Sequence, residues 1–236
     1  MVIWSRESCR GNLSRKLSGM VIIPWRILVE RSARLLILAL AFGAFFASVS
    51  PGQDQKQRYF FVGGGMSFPL YPQNFSDNWK LGYGIGGGLM TSLSPILQLG
   101  IEAEYNNFAL DHDRFSFYDT SGQRYRSTGG SAGIFFVSPV LKLMFSRARD
   151  GPSAFALLRI GYHHESTSDL TISGSSNTYT LSGTSHSALS MGVGIGLDIP
   201  INEGIGIILR AEFVNAFTDV QSTQYLPLRG GFRFSL

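Results

Sequence analysis

Residues 189–213 read LSMGVGIGLDIPINEGIGIILRAEF, and this stretch constrains the fold more than any other. Leu189, Met191, Val193, Ile195, Leu197 and Ile199 alternate with Ser190, Gly192, Gly194, Gly196 and Asp198. A period of two is the signature of a β-strand, whose successive side chains point to opposite faces. After a short polar break the alternation resumes, with Ile205, Ile207, Leu209, Ala211 and Phe213 against Gly206, Ile208, Arg210, Glu212 and Val214. One face is greasy throughout and the other is mostly small or charged. A soluble sheet would solvate its outer face with many medium-sized polar residues, and this chain does not.

The same reading divides the chain after residue 57 into eight runs of strand character: 58–69, 82–93, 96–109, 131–145, 153–164, 187–199, 204–217 and 225–236. Their connections alternate in length. YPQNFSDNWK, DHDRFSFYDTSGQRYRSTGG, ESTSDLTISGSSNTYTLSGT and TDVQSTQ are longer or more polar, whereas Ser94-Pro95, RARDGP and INEG are short. Antiparallel up-and-down strands place alternate connections at opposite ends, so one end carries the loops and the other the tight turns. Bacterial outer-membrane barrels have short periplasmic turns, longer extracellular loops and an even number of strands. A tilted strand crosses the hydrocarbon with about 9–11 residues, a length these runs meet.

An eight-stranded barrel could equally be a soluble ligand carrier, apolar within and polar outside, so the faces decide. Leu97, Leu99, Ile101, Ala103 and Tyr105 oppose Gln98, Gly100, Glu102, Glu104 and Asn106. Leu158, Ile160 and Tyr162 oppose Leu157, Arg159 and Gly161, and Leu228, Phe232 and Phe234 oppose Arg229, Gly231 and Arg233. Glycine beside isolated full charges suits a cramped interior better than a wet exterior. The apolar face then points outward on every strand, ruinous in water but required in lipid, where only a closed barrel satisfies the strand backbone. The expected fold is an all-β, eight-stranded antiparallel transmembrane barrel over residues 53–236.

Glu102, Arg159 and Arg210 each lie six or seven residues from a short turn, which places them roughly 14–16 Å deep, near mid-membrane. With Glu104 and Glu212 they are expected to form a paired interior cluster, because an unpaired charge at that depth costs several kcal/mol. A structural role for this cluster is the first expectation, and a narrow conduction path is the alternative.

Residues 1–52 read as a leader. LLILALAFGAFFA at 35–47 follows Arg31 and Arg34 and precedes SVSPG, a secretory-signal pattern, and Met20 is a second candidate start. This leader holds seven Lys/Arg against two acids and the sole cysteine, Cys9. The remainder has 13 Lys/Arg against 14 Asp/Glu, so the basic pI of about 9.3 leaves no patch for nucleic acid once the leader is set aside. A cysteine-free exported chain relies on no disulfide.

The end of the chain, RGGFRFSL, resembles the closing strand of bacterial outer-membrane proteins, with Phe232, Phe234 and Leu236 at alternating positions. Together with the GGG-bearing first run FFVGGGMSF, residues 58–236 look like the small OmpA/OmpX-type family of eight-stranded barrels. The resemblance implies recognition of Phe232, Phe234 and Leu236 by the barrel-assembly machinery. It also implies contact with outer-membrane lipid and lipopolysaccharide, and a structural or surface-interaction role toward an unidentified extracellular partner. No cofactor, metal or catalysis is expected.

Two further clusters carry residue types capable of chemistry. His164 and Ser166 in YHHESTS resemble the His/Ser arrangement of lipid A deacylase, also an eight-stranded barrel, in which Ser attacks an ester with His as base. The supporting acid expected on the following strand is missing from SALSMGVGIG, so these two read as rim residues. Asp111, Asp113 and Asp119 with His112 lack the fuller spacing of a cation loop. The GVGIG and GIGIG glycines precede no helix that would offer amides to a phosphate.

Overall fold

The computed structural model describes residues 58–118, 124–145, 151–174, 177–218 and 222–236. The expected leader at 1–52, with Met20 as second candidate start, lies outside the described residues. Eight strands close into one antiparallel barrel: β1 (Arg58–Tyr71), β2 (Gly82–Ser92), β3 (Leu97–Ala109), β6 (Ser131–Met144), β7 (Ser153–Thr167), β10 (Ser185–Pro200), β11 (Ile205–Phe217) and β12 (Thr223–Ser235). Each pairs with its sequence neighbour in the barrel, and β12 returns to β1 to close the wall. No edge is left, so the ladders satisfy strand backbone without water.

Alternation decides the faces as the pattern requires. Ile195 on the outer wall is 65% exposed, whereas Arg159 on the inner wall is 1% exposed. Leu89, Leu209, Phe213 and Phe232 share the outer face. At the seam, Phe60 and Phe234 stack with ring centroids 4.8 Å apart, across the pair in register between β1 and β12.

Proline marks the interruptions. The β6–β7 ladder lapses between Val137–Tyr162 and Val140–Arg159, around Pro139. The β11–β12 ladder lapses between Ala211–Leu228 and Val214–Tyr225, around Pro227. A residue without an N–H removes a ladder hydrogen bond, and in both places the register resumes unchanged on the far side.

The two longest connections are not irregular. β4 (Phe117–Tyr118), β5 (Arg124–Gly129), β8 (Leu170–Ser173) and β9 (Thr178–Leu181) form a second sheet in the order β4-β5-β8-β9. It is tied to the barrel rim: Leu110 N donates to Gly130 O at 3.2 Å, Gly130 N to Asp169 O at 2.9 Å and Ser168 N to Ser131 O at 2.9 Å. Gly129 and Gly130 make the bend from sheet to rim with φ of 78° and 72°, the left-handed region that glycine enters without steric cost. The first connection also departs from a plain loop. Residues Gln73–Asn78 form a short helix whose Phe75 is buried.

Candidate functional site

The barrel interior is filled in three layers. Nearest the short turns, Asp198 accepts from Lys142 Nζ at 3.0 Å and from Arg233 Nε at 2.6 Å. Lys142 Nζ also donates to the Tyr59 hydroxyl at 3.2 Å and sits 4.0 Å from the centroid of the Phe155 ring. An apolar collar of Phe61, Met90, Val140, Leu157 and Ile208 surrounds this layer from above. A cavity of about 20 Å³ lies between it and the next charges, touching Lys142 on one side and Glu102 and Arg210 on the other, room for about one water.

The middle layer brings together Glu102, Glu104, Arg159, Arg210 and Glu212, the five residues expected to cluster, and adds Arg229. Arg159 reaches Glu104 at 2.8 Å, Glu212 at 2.7 Å and Glu102 at 3.7 Å, with its guanidinium 4.5 Å from the Phe136 ring centroid. Arg210 donates to both oxygens of Glu102, one of them at 2.8 Å, and pairs with Glu212 at 2.8 Å. Arg229 Nη2 reaches Glu104 at 2.6 Å and Ser67 Oγ at 3.1 Å, and it also donates to Asn106. Three arginines thus face three glutamates. The layer is neutral as a whole, which is how charges are held away from water.

This network explains the bare face. A Cβ at Gly84 would stand 2.6 Å from Arg229 Nη2, one at Gly192 would stand 3.0 Å from Arg159 Cγ and Nε, and one at Gly194 would stand 2.6 Å from Glu212 Cγ. The glycines are the space the network occupies.

The third layer lies toward the loops. Phe108, Ile134, Phe136, Val214 and Tyr225 pack together, and Phe75 descends from the short helix to meet Phe108 edge-on with centroids 5.1 Å apart. His163, wholly buried, lies between Phe136 and Tyr225 at ring separations of 6.4 and 6.3 Å. Glu165 points inward and accepts from Thr223 Oγ1 at 3.2 Å.

The interior is therefore more aromatic than a reading in terms of small and charged residues suggests. Arg229, Lys142, Asp198 and Arg233 belong to its charged layers although the sequence reading does not group them with the five. Arg229 and Arg233 stand on the inward face of the closing strand. Their alternation with Leu228 and Phe232 on the outer row is the signal that places them there.

His164 does not pair with Ser166. Both face outward, and His164 Nδ1 lies 2.9 Å from Ser187 Oγ, which in turn lies 2.7 Å from the Tyr162 hydroxyl. Among the described residues no carboxylate stands within hydrogen-bonding distance of His164. Around His164 and Ser166, β7 is laddered on both sides, to Ser187 and Ser185 of β10 and to Phe135 and Gly133 of β6. The cluster is a polar and aromatic rim. Asp111 is taken by Lys80 at 3.4 Å and Arg114 at 3.6 Å, His112 Nδ1 lies 3.0 Å from Ser127 Oγ, and Asp119 lies outside the described residues. No group of three metal-ligating side chains occurs among the described residues. Phe232, Phe234 and Leu236 all stand on the outer wall beside the β1–β12 seam.

The chain is similar in structure to several outer-membrane proteins. Neisserial surface protein A matches with 8% identity over 76% of this chain and 97% of that chain, at a TM-score of 0.48. Ail, the attachment invasion locus protein of Yersinia pestis, matches with 14% identity over 77% and 100%, at 0.41. A major outer membrane protein from Thermus thermophilus matches with 13% identity over 76% and 99%, at 0.46. No curated protein matches the chain. Residues 37–232 match the family described as outer membrane protein beta-barrel domain.

Proposed function

Because the chain belongs to the outer membrane protein beta-barrel domain family, and is thereby a multi-pass barrel of the bacterial outer membrane, we propose that it serves there as a filled platform for surface contact. Its working part is the loop sheet, and it carries out no catalysis. The observation that carries this reading is the pairing of the two longest connections into one four-stranded sheet, tied by backbone hydrogen bonds to the barrel rim. Ordering these residues costs about 1–2 kcal/mol each in backbone entropy, which a passive tether would not need. Long loops of such barrels are extracellular, so the sheet faces the medium.

The filled interior supports a platform over a pore. Two salt-bridged layers, with an aromatic layer above them, hold the wall rigid from within, as eight strands enclose only enough room for side chains. Lipid and lipopolysaccharide surround the apolar belt in this reading, and Phe232, Phe234 and Leu236 present the outer-wall pattern to the assembly machinery.

The test replaces residues 117–128 and 170–181 by short Gly-Ser turns and measures retention of expressing cells on a panel of immobilised surface glycans and matrix proteins. The variant barrel is expected to keep its heat-dependent migration in SDS while retention falls to the level of cells lacking the protein. Unchanged retention would remove the loop sheet from the function.

A further inference from the structure

The loop sheet has two unlike faces. Pairing sets Arg124 opposite Tyr118, Arg126 opposite Ser173, and Ser173 opposite Thr178. Directly opposed residues of antiparallel strands share a face, so these five side chains lie together. Arg124, Arg126, Thr178 and Tyr118 are exposed, Tyr118 by 68%. On the other face Tyr125 and Ser127 are buried against the loop body, Ser127 beside His112.

Lys80 in the first connection is paired with Asp111, and Arg114, in the same connection as Arg124, with Asp77 and Asp111, whereas among the described residues Arg124 and Arg126 have no carboxylate partner. Two residues apart on one strand, their side chains emerge about 6.6 Å from each other. Each guanidinium offers a planar fork of donors suited to oxyanions. Beside them stand hydroxyls and one exposed ring. A protein partner of ordinary kind would need an apolar centre to this patch, and Tyr118 alone does not make one.

We propose that this face binds an anionic polysaccharide of the surrounding medium. Arg124 and Arg126 take sulfate or carboxylate groups on successive sugars, Ser173 and Thr178 bond sugar hydroxyls, and the Tyr118 ring lies against a pyranose face. The proposal rests on the surface-contact reading and names its ligand class.

The experiment uses the refolded protein in phospholipid nanodiscs free of lipopolysaccharide, with fluorescent dextran sulfate as probe and neutral dextran as control. Saturable binding of dextran sulfate that weakens with added salt, and no binding of dextran, is expected. Arg124→Ala and Arg126→Ala should each weaken binding about tenfold, with Lys at either position recovering part of the loss, and each variant should keep its heat-dependent migration. Equal affinity in the R124A/R126A double variant, or no binding at all, would overturn the proposal. So would purified lipopolysaccharide binding this face where dextran sulfate does not. Loss of cell retention on deleting the loop sheet, without any dextran sulfate binding, would overturn the ligand class and leave the surface-contact reading standing.

Discussion

At the residue scale, the molecule turns on how glycine and charge share the interior. Gly194 and Gly230 are both strand glycines, yet their neighbours differ. A Cβ at Gly194 meets Glu212 Cγ and the Ala211 carbonyl oxygen at 2.6 Å, while one at Gly230 meets only the Leu209 side chain at 3.3 Å on the outer wall. Gly194→Ala is therefore expected to destabilise the barrel by about 1–3 kcal/mol through overpacking, and Gly230→Ala to leave it within about 0.5 kcal/mol. Urea titrations of the two variants in lipid vesicles would show the contrast, and equal effects would contradict the inward reading of Gly194. Arg159, like Arg210, touches all three glutamates, and it is the more deeply buried of the two. Arg159→Met leaves buried carboxylates uncompensated and should cost about 3–5 kcal/mol. Adding Glu212→Gln should return part of that loss, and the same titration reads the coupling; strict additivity of the two substitutions would show that they do not share one network.

At the element scale, the fold is legible wherever side chains alternate strictly, as on β3, β10 and β11. All eight barrel strands begin and end within three residues of the sequence reading, because a tilted strand in lipid must keep one face apolar for its whole length. The loop sheet escapes that reading, although its signal exists. Leu170 and Ile172 alternate with Thr171 and Ser173, and Tyr179 and Leu181 with Thr178 and Thr180. The runs are only four residues long, too short for periodicity to stand out from Ser/Thr-rich loop composition. The helix at Gln73–Asn78 is hidden in a loop for a similar reason, with Phe75 and Trp79 one helical turn apart as its trace. The interior aromatics are unreadable on another ground: in this chain Phe occurs on both walls, as Phe60 outside and Phe61 inside show, so residue type alone does not give the face. Phe75 pins its helix over the aromatic layer, and Phe75→Ala should release that connection at a cost of about 3 kcal/mol. External protease on intact cells is expected to cut the variant within 72–81 and to spare the parent. Equal resistance would mean that the helix is held by something other than this ring.

At the scale of the whole molecule, the two ends do different work. The short-turn end is closed by Lys142, Asp198 and Arg233, and the loop end by the aromatic layer and the rim-tied sheet. Between them, a neutral layer of three arginines and three glutamates fills the middle of the wall. The outer surface is uniformly apolar over the span that lipid covers, with a Tyr162, His164 and Ser187 rim above it. Such a barrel is braced from within, and in the platform reading it offers chemistry only where it leaves the membrane. The most direct test of this account is current through the refolded protein in a planar lipid bilayer under an applied voltage. A filled interior predicts no steady ionic conductance over the bare membrane. Reproducible ohmic steps from the unmodified barrel, reduced by substitutions at Arg159 or Glu212, would show an open path through the network and contradict the platform reading.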